Sequence, residues 1–155
     1  MGEVRNLNLG CGDKEFPNSL NVDLRQTPIV DVQHDLNVFP YPFQDESFNN
    51  IHAHDIIEHL DDVIEVMDEC WRLLKPNGTI YIRTTAWDTQ QSYNDITHKH
   101  WFTLESFDFF DPDTKWGAKY WWYTIRKWRV VLRQYDGQEL VFHLQKRVHW
   151  EDKDA

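Results

Sequence analysis

Cysteine is scarce in this 155-residue chain: Cys11 and Cys70 are the only two. Neither sits in a CxxC spacing, so no disulfide framework and no thiolate metal knuckle is implied. Long apolar runs are missing as well. No stretch approaches the roughly 20 residues of a membrane-spanning helix, and the N-terminus reaches Gly10 without the apolar core of a signal peptide. These absences predict a cytoplasmic protein with no membrane partner. Internal repeats and low-complexity linkers are also lacking. One domain over residues 1–155 is therefore expected, with a polar tail at 150–155.

Basic residues are in short supply over most of the chain. Residues 1–113 hold 7 Lys/Arg against 21 Asp/Glu, and the formal net charge is -10. An acidic body repels phosphate, so nucleic acid is an unlikely partner. Residues 114–133 are the exception, with 6 Lys/Arg and no acid. What the chain has in plenty is aromatic side chains, 15% of residues with eight Trp. Together with 41% hydrophobic residues, they predict a packed core, and rings left over for a pocket or an interface.

Hydrophobic periodicity sketches the elements. Val4 to Leu9 alternates and ends at Gly10-Cys11-Gly12, a strand running into a glycine turn. Leu20–Leu24 and Ile29–Val32 read as a second and third strand, and Phe48–Ala53 as a fourth after a polar, proline-bearing loop. Ile64, Met67, Trp71 and Leu74 recur at helical spacing, with Asp61 or Asp62 to cap the start and Lys75-Pro76-Asn77-Gly78 to stop it. Thr79–Thr84 is strand-like. Trp128–Gln134 and Glu139–Gln145 flank an Asp136-Gly137 turn, which predicts a hairpin. The fold class expected is α/β: a doubly wound, Rossmann-like, mostly parallel sheet with a C-terminal antiparallel hairpin.

Three strand ends carry the candidate chemistry. The glycine turn lets backbone N–H groups approach a ligand closely. Asp23 stands at the end of the second strand, where a carboxylate can accept from both hydroxyls of a ribose. Asp35, in His34-Asp35-Leu36, can accept from an adenine amino group. Ligands of doubly wound sheets bind at these strand ends, so the three together say more than any one alone.

The runs LNLGCG (7–12), NVDL (21–24), HDLNVFPYPFQDESFNNIHAHDIIEHL (34–60), LLKPNG (73–78) and TIYIRT (79–84) resemble the class I S-adenosylmethionine-dependent methyltransferases, in particular the methyltransferase-type-11-like branch. The resemblance covers about residues 4–112. It implies a methyltransferase with S-adenosyl-L-methionine as cofactor. It places Gly10 and Gly12, with Leu9 and Cys11 beside them, at the amino-acid part of the cofactor. Asp23 and Leu24 would hold the ribose, Asp35 and Leu36 the adenine, and Ala53 and His54 the junction with the substrate. The acceptor side is assigned to Asp55, Tyr93, Asn94 and His98. Of these, His98 is the candidate general base, and Asp95 would orient it. The acceptor itself is unidentified, an O or N atom of a small molecule being expected.

Two departures from the family pattern stand out. Lys14 replaces the third glycine, and the span from Gly12 to Leu20 is too short for the helix that normally follows. A partner subunit, such as a second copy, or the aromatic segment around 115–129 could supply the missing cover. Alternatives remain open: a protein of this fold that binds a cofactor or nucleotide without turnover, or a dinucleotide oxidoreductase, against which the missing final glycine of GxGxxG counts. His98 could equally be a backbone-bonded clasp. His52, His54, His59, His98 and His100 invite a metal reading, and His52 and His54 alternate on one strand face, but the family motif accounts for His54 and His59, the ligand spacing is poor, and no metal is expected.

Overall fold

The computed structural model describes residues 5–150. The predicted start of the first strand at Val4 and the tail beyond Trp150 lie outside them. Seven strands form one sheet in the order β3-β2-β1-β4-β5-β7-β6. They are β1 (Asn6–Leu9), β2 (Ser19–Asp23), β3 (Val32–Gln33), β4 (Phe48–His54), β5 (Leu74–Thr85), β6 (Trp128–Tyr135) and β7 (Glu139–Lys146). The first five are parallel, while β7 runs antiparallel to both β5 and β6. The order reverses at β1, as in a doubly wound sheet. The Asp136-Gly137 hairpin is where the sequence predicted it.

The third strand is displaced from its expected place. Ile29 to Val32 gives way to a two-residue strand at Val32–Gln33, held to β2 by Val22 and Asp23. The reason is local: Asp31 uses its carboxylate to accept from the backbone and side-chain amides of Asn21, so the chain straightens only after it. Helix α1 (Val63–Leu73) begins at Asp62, whose Oδ1 accepts from Glu65 N at 3.0 Å. The chain then passes directly into β5 at Leu74, and Asn77 takes φ 63° before pairing with β4 resumes at Thr79.

One face of the sheet is dry. Leu7, Leu9, Val22, Ile51, Ile80, Ile82, Leu140, Phe142 and Leu144 pack there against Val66, Met67, Cys70 and Leu73 of α1 and Phe102, Phe107 and Phe110 of the connection after β5. At roughly 1.5–3 kcal/mol per fully buried large side chain, this layer is the main source of stability. The other face carries a row of polar and aromatic side chains in register: Asn21, Asn8, His52, Tyr81 and His143. Residues 10–18, between β1 and β2, contain no helix. From them only Phe16 stacks on this face, 4.3 Å from the His52 ring and edge-on to His54. Among the described residues no helix is long and apolar enough to cross a membrane.

Candidate active site

The carboxyl ends of β1 and β2 meet through one side chain. Gly10 and Gly12 both take left-handed backbone angles, φ 62° and 54°, which only glycine adopts without cost. The turn they form brings Gly12 N within 2.9 Å of Asp23 Oδ2. Asp23 Oδ1 accepts from Arg25 N at 2.9 Å. Each carboxylate oxygen thus holds one backbone donor and keeps lone pairs for a ligand. A cleft of about 160 Å³ opens here, lined by Gly10, Asp23, Leu24, His34, Asp35, Leu36, Asn37, Ile56, His59 and Leu60. Leu36, Ile56 and Leu60 make its apolar walls. Asp35 Oδ1 accepts from Asn37 N, and Asn37 Oδ1 from Asp61 N, both at 2.9 Å, which ties the cleft's far rim to the start of α1.

The segment after α2 (Gln90–Asn94) folds back onto the turn Ile57–His59. Lys99 N and His100 N both donate to Glu58 O, His100 bonds Leu60 O through Nε2 at 2.8 Å, and Lys99 pairs with Asp61. This clasp carries His98 inward until its side chain is 5% exposed. His98 Nδ1 lies 2.8 Å from Ser92 O. A carbonyl can only accept, so the proton sits on Nδ1 and Nε2 of the neutral ring presents a lone pair. The same reasoning fixes His59. Thr97 Oγ1 spends its only hydrogen on Asp95 Oδ1 at 2.6 Å, so it accepts from His59 Nδ1 at 2.9 Å. His59 Nε2 is therefore also a lone-pair nitrogen. The two rings meet edge to face at 4.7 Å. Beside them lies Glu58, 1% exposed, with Oε2 buried and without a hydrogen-bond partner among the described residues. Burial pushes the Glu58 carboxyl up to about 7 and holds His59 below the ordinary imidazole value.

A cleft at the reversal of strand order, with an acid from β2 and a glycine turn from β1, is a nucleoside site in outline. Residues 7–82 match a family model described as a methyltransferase domain. Residues 7–82 thus carry a methyltransferase domain. Solved structures agree on the fold. An S-adenosylmethionine-dependent methyltransferase from Mesorhizobium loti is 14% identical with a TM-score of 0.64, over 94% of this chain and 93% of its own. One from Archaeoglobus fulgidus is 17% identical with a TM-score of 0.62, over 94% and 87%. The methyltransferase seen in complex with the Trm112 methyltransferase activator of Haloferax volcanii is 12% identical with a TM-score of 0.67, over 98% and 86%. No curated protein matches the sequence.

S-adenosylmethionine is the methyltransferase's cofactor, and the cleft residues suit its adenosyl half. Asp23 offers free lone pairs at the rim, the walls are apolar, and no atom lies within 4 Å of where a Cβ on Gly12 would stand. Of the residues picked out from sequence, Gly10, Asp23, Leu24, Asp35 and Leu36 line the cleft together. Leu9, Cys11 and Ala53 are buried behind it. His54 lies on the polar face of the sheet against Phe16, its imidazole pushed down to about 4 by burial and by Arg83. Asp55 is engaged with Arg83 in an ion pair. Tyr93 is exposed and stacks on Trp101. Asn94 lines a separate surface hollow with Asp88 and Gly137. Sequence reasoning gave no role to His34, Asn37, Ile56, Glu58 and Leu60, and took His59 for a hydrogen-bonded structural histidine. The signal available was the Ile56-Ile57-Glu58-His59-Leu60 run itself. Its single 3₁₀ turn puts Ile56, His59 and Leu60 on the cleft and turns Glu58 inward.

Proposed function

We propose that this methyltransferase moves a methyl group to an O or N atom of a small acceptor seated beside His59, with His98 as general base. Bound S-adenosylmethionine supplies the methyl group on a sulfonium, a leaving group good enough that alignment and water exclusion are the protein's main tasks. Asp23 holds the ribose hydroxyls with Leu24 alongside. Asp35 and Leu36 receive the adenine, and the Leu9–Gly12 turn the amino-acid end, with Ala53 and His54 behind it. Asp55, Tyr93 and Asn94 contribute to the acceptor side. The observation that carries the reading is the forced tautomer of His98: Ser92 O holds Nδ1–H, leaving Nε2 free to take a proton. Asp95 Oδ2, 3.7 Å from that nitrogen, then stabilises the imidazolium.

The test is product formation with a panel of hydroxyl and amine acceptors. His98→Ala lowers kcat by about 100-fold, the usual size of a general base's contribution, and leaves the Kd for S-adenosylhomocysteine within about twofold. Unchanged kcat removes His98 from the reaction. A second reading, cofactor binding without turnover, is favoured by the missing helix in residues 10–18. Release of no S-adenosylhomocysteine with any acceptor would decide for it. The acidic body argues that nucleic acid is not the acceptor, and a second copy of the chain is the cover we propose for the polar sheet face, read out as a dimer by sedimentation.

A further inference from the structure

Glu58, His59 and His98 each place one potential ligand atom within 4.8 Å of the others. The histidine bonding described above makes both Nε2 atoms lone-pair donors to a cation, and each ring's Nδ1–H is anchored by an oxygen, the arrangement that orients and strengthens imidazole ligands at metal centres. The carboxyl is all but fully buried, its Oε2 has no hydrogen-bond partner among the described residues, and the buried Thr84 hydroxyl lies beside it. With the carboxyl ionised and both rings neutral, the three residues hold lone pairs for a cation within 4.8 Å of one another. A buried group left in that state is costly, and one cation satisfies all three. We propose that Glu58, His59 and His98 bind a single divalent transition-metal ion of the zinc type.

Two imidazole nitrogens and one carboxylate oxygen form a known zinc donor set, with ligand distances of about 2.0–2.2 Å and a further position left for water or substrate. Closing onto an ion draws the three atoms together by about 1 Å, a movement within reach of side-chain torsions, since His59 is only half-buried. Sulfur takes no part: Cys11 and Cys70 are elsewhere in the core. The thiolate-free set suits zinc or cobalt rather than copper(I), and magnesium or calcium would want more oxygen ligands. His59 also lines the cofactor cleft, so the ion's remaining position adjoins the place proposed for the acceptor. This rests on the proposed function's placing of the acceptor beside His59 and replaces its assignment of His98 as base. With the ion bound, His98 is a ligand and no longer the base; the ion would lower the pKa of an acceptor hydroxyl, whose proton then leaves to solvent.

The experiment is metal titration of the chelator-stripped protein with zinc by calorimetry, and with cobalt by visible spectroscopy. One zinc per chain is expected, with cobalt d–d bands of a four- or five-coordinate site. His98→Ala and His59→Ala should each weaken zinc binding by about 100-fold, while His143→Asn, on the polar face of the sheet, leaves it unchanged. Binding that survives the double variant His59→Ala/His98→Ala, or that is lost in His143→Asn, overturns the site. Where an alanine variant fails to fold, the wild-type cobalt spectrum decides, and absence of visible bands overturns it equally. Titration with S-adenosylhomocysteine runs alongside as a separate arm. Its failure strikes the cofactor cleft, and failure of zinc binding alone strikes only the metal site.

Discussion

Gly10 and Gly12 share a backbone requirement but differ in their surroundings. A Cβ on Gly10 would stand 2.5 Å from Ile56 Cγ1, whereas one on Gly12 would meet nothing within 4 Å. Gly12→Ala should therefore cost only the left-handed backbone, about 1–2 kcal/mol. Gly10→Ala should cost that plus about 1–3 kcal/mol of overpacking, and should displace Ile56 from the cleft. Urea midpoints measured in parallel check the ranking, and equal losses would mean that Ile56 yields freely. Asp23 is the other residue with an outsized role, because one carboxylate both closes the turn through Gly12 N and faces the cleft. Asp23→Asn replaces one accepting oxygen by a donor and removes the charge. The expected effect is a 10- to 100-fold rise in the Kd for S-adenosylhomocysteine, about the worth of a charge-assisted hydrogen bond, read by calorimetry.

Among the elements, the central strands show how far a sequence pattern reaches. Alternation in β1, β4, β5 and β7 was plain because one face is fully dry, so the period of two is enforced by burial. β3 was misplaced because two paired residues generate no periodicity, and a side-chain bond from Asp31 sets its start. In the cleft, residues contributed by strand ends were legible from Gly10, Asp23 and Asp35. Those from the 57–59 turn were hidden, since a 3₁₀ turn has neither helix nor strand period, and the tautomers of His59 and His98 depend on partners 38 and 6 residues away. The polar sheet face has its own pH response. Burial holds His52, His54 and His143 below the ordinary value of 6.5, His54 at about 4. On acidification the unfolded chain takes up these protons first, so the three rings' contribution is full above pH 6.5 and is lost towards pH 4. Glu58, raised to about 7, works in the opposite sense over the same range, so the readout is the difference: the urea midpoint of the wild type should fall relative to that of His54→Gln between pH 6.5 and pH 4. Identical slopes would show that the ring carries no such linkage.

At the scale of the whole molecule, the sheet has one face packed under α1 and the 86–127 connection, while among the described residues the other is met by Phe16 and by the Lys14 carbonyl on Asn8. The nine residues between β1 and β2 give the glycine turn no following helix, so its N–H groups receive no reinforcement from a row of aligned peptide dipoles. On the proposed placement of the cofactor, recognition would be weighted towards the nucleoside, where Asp23, Asp35 and Leu36 stand, and away from the methionyl portion. Sulfonium donors trimmed or enlarged at that portion should be bound nearly as well as the parent compound, within about fivefold, whereas a 2′-deoxy nucleoside should be bound poorly. Competition binding with the two kinds of analogue measures the difference, and a steep loss on altering the methionyl portion would contradict it. A transferase whose hold on the far end of its donor is as lenient as proposed would be open to artificial donors carrying bulky tags.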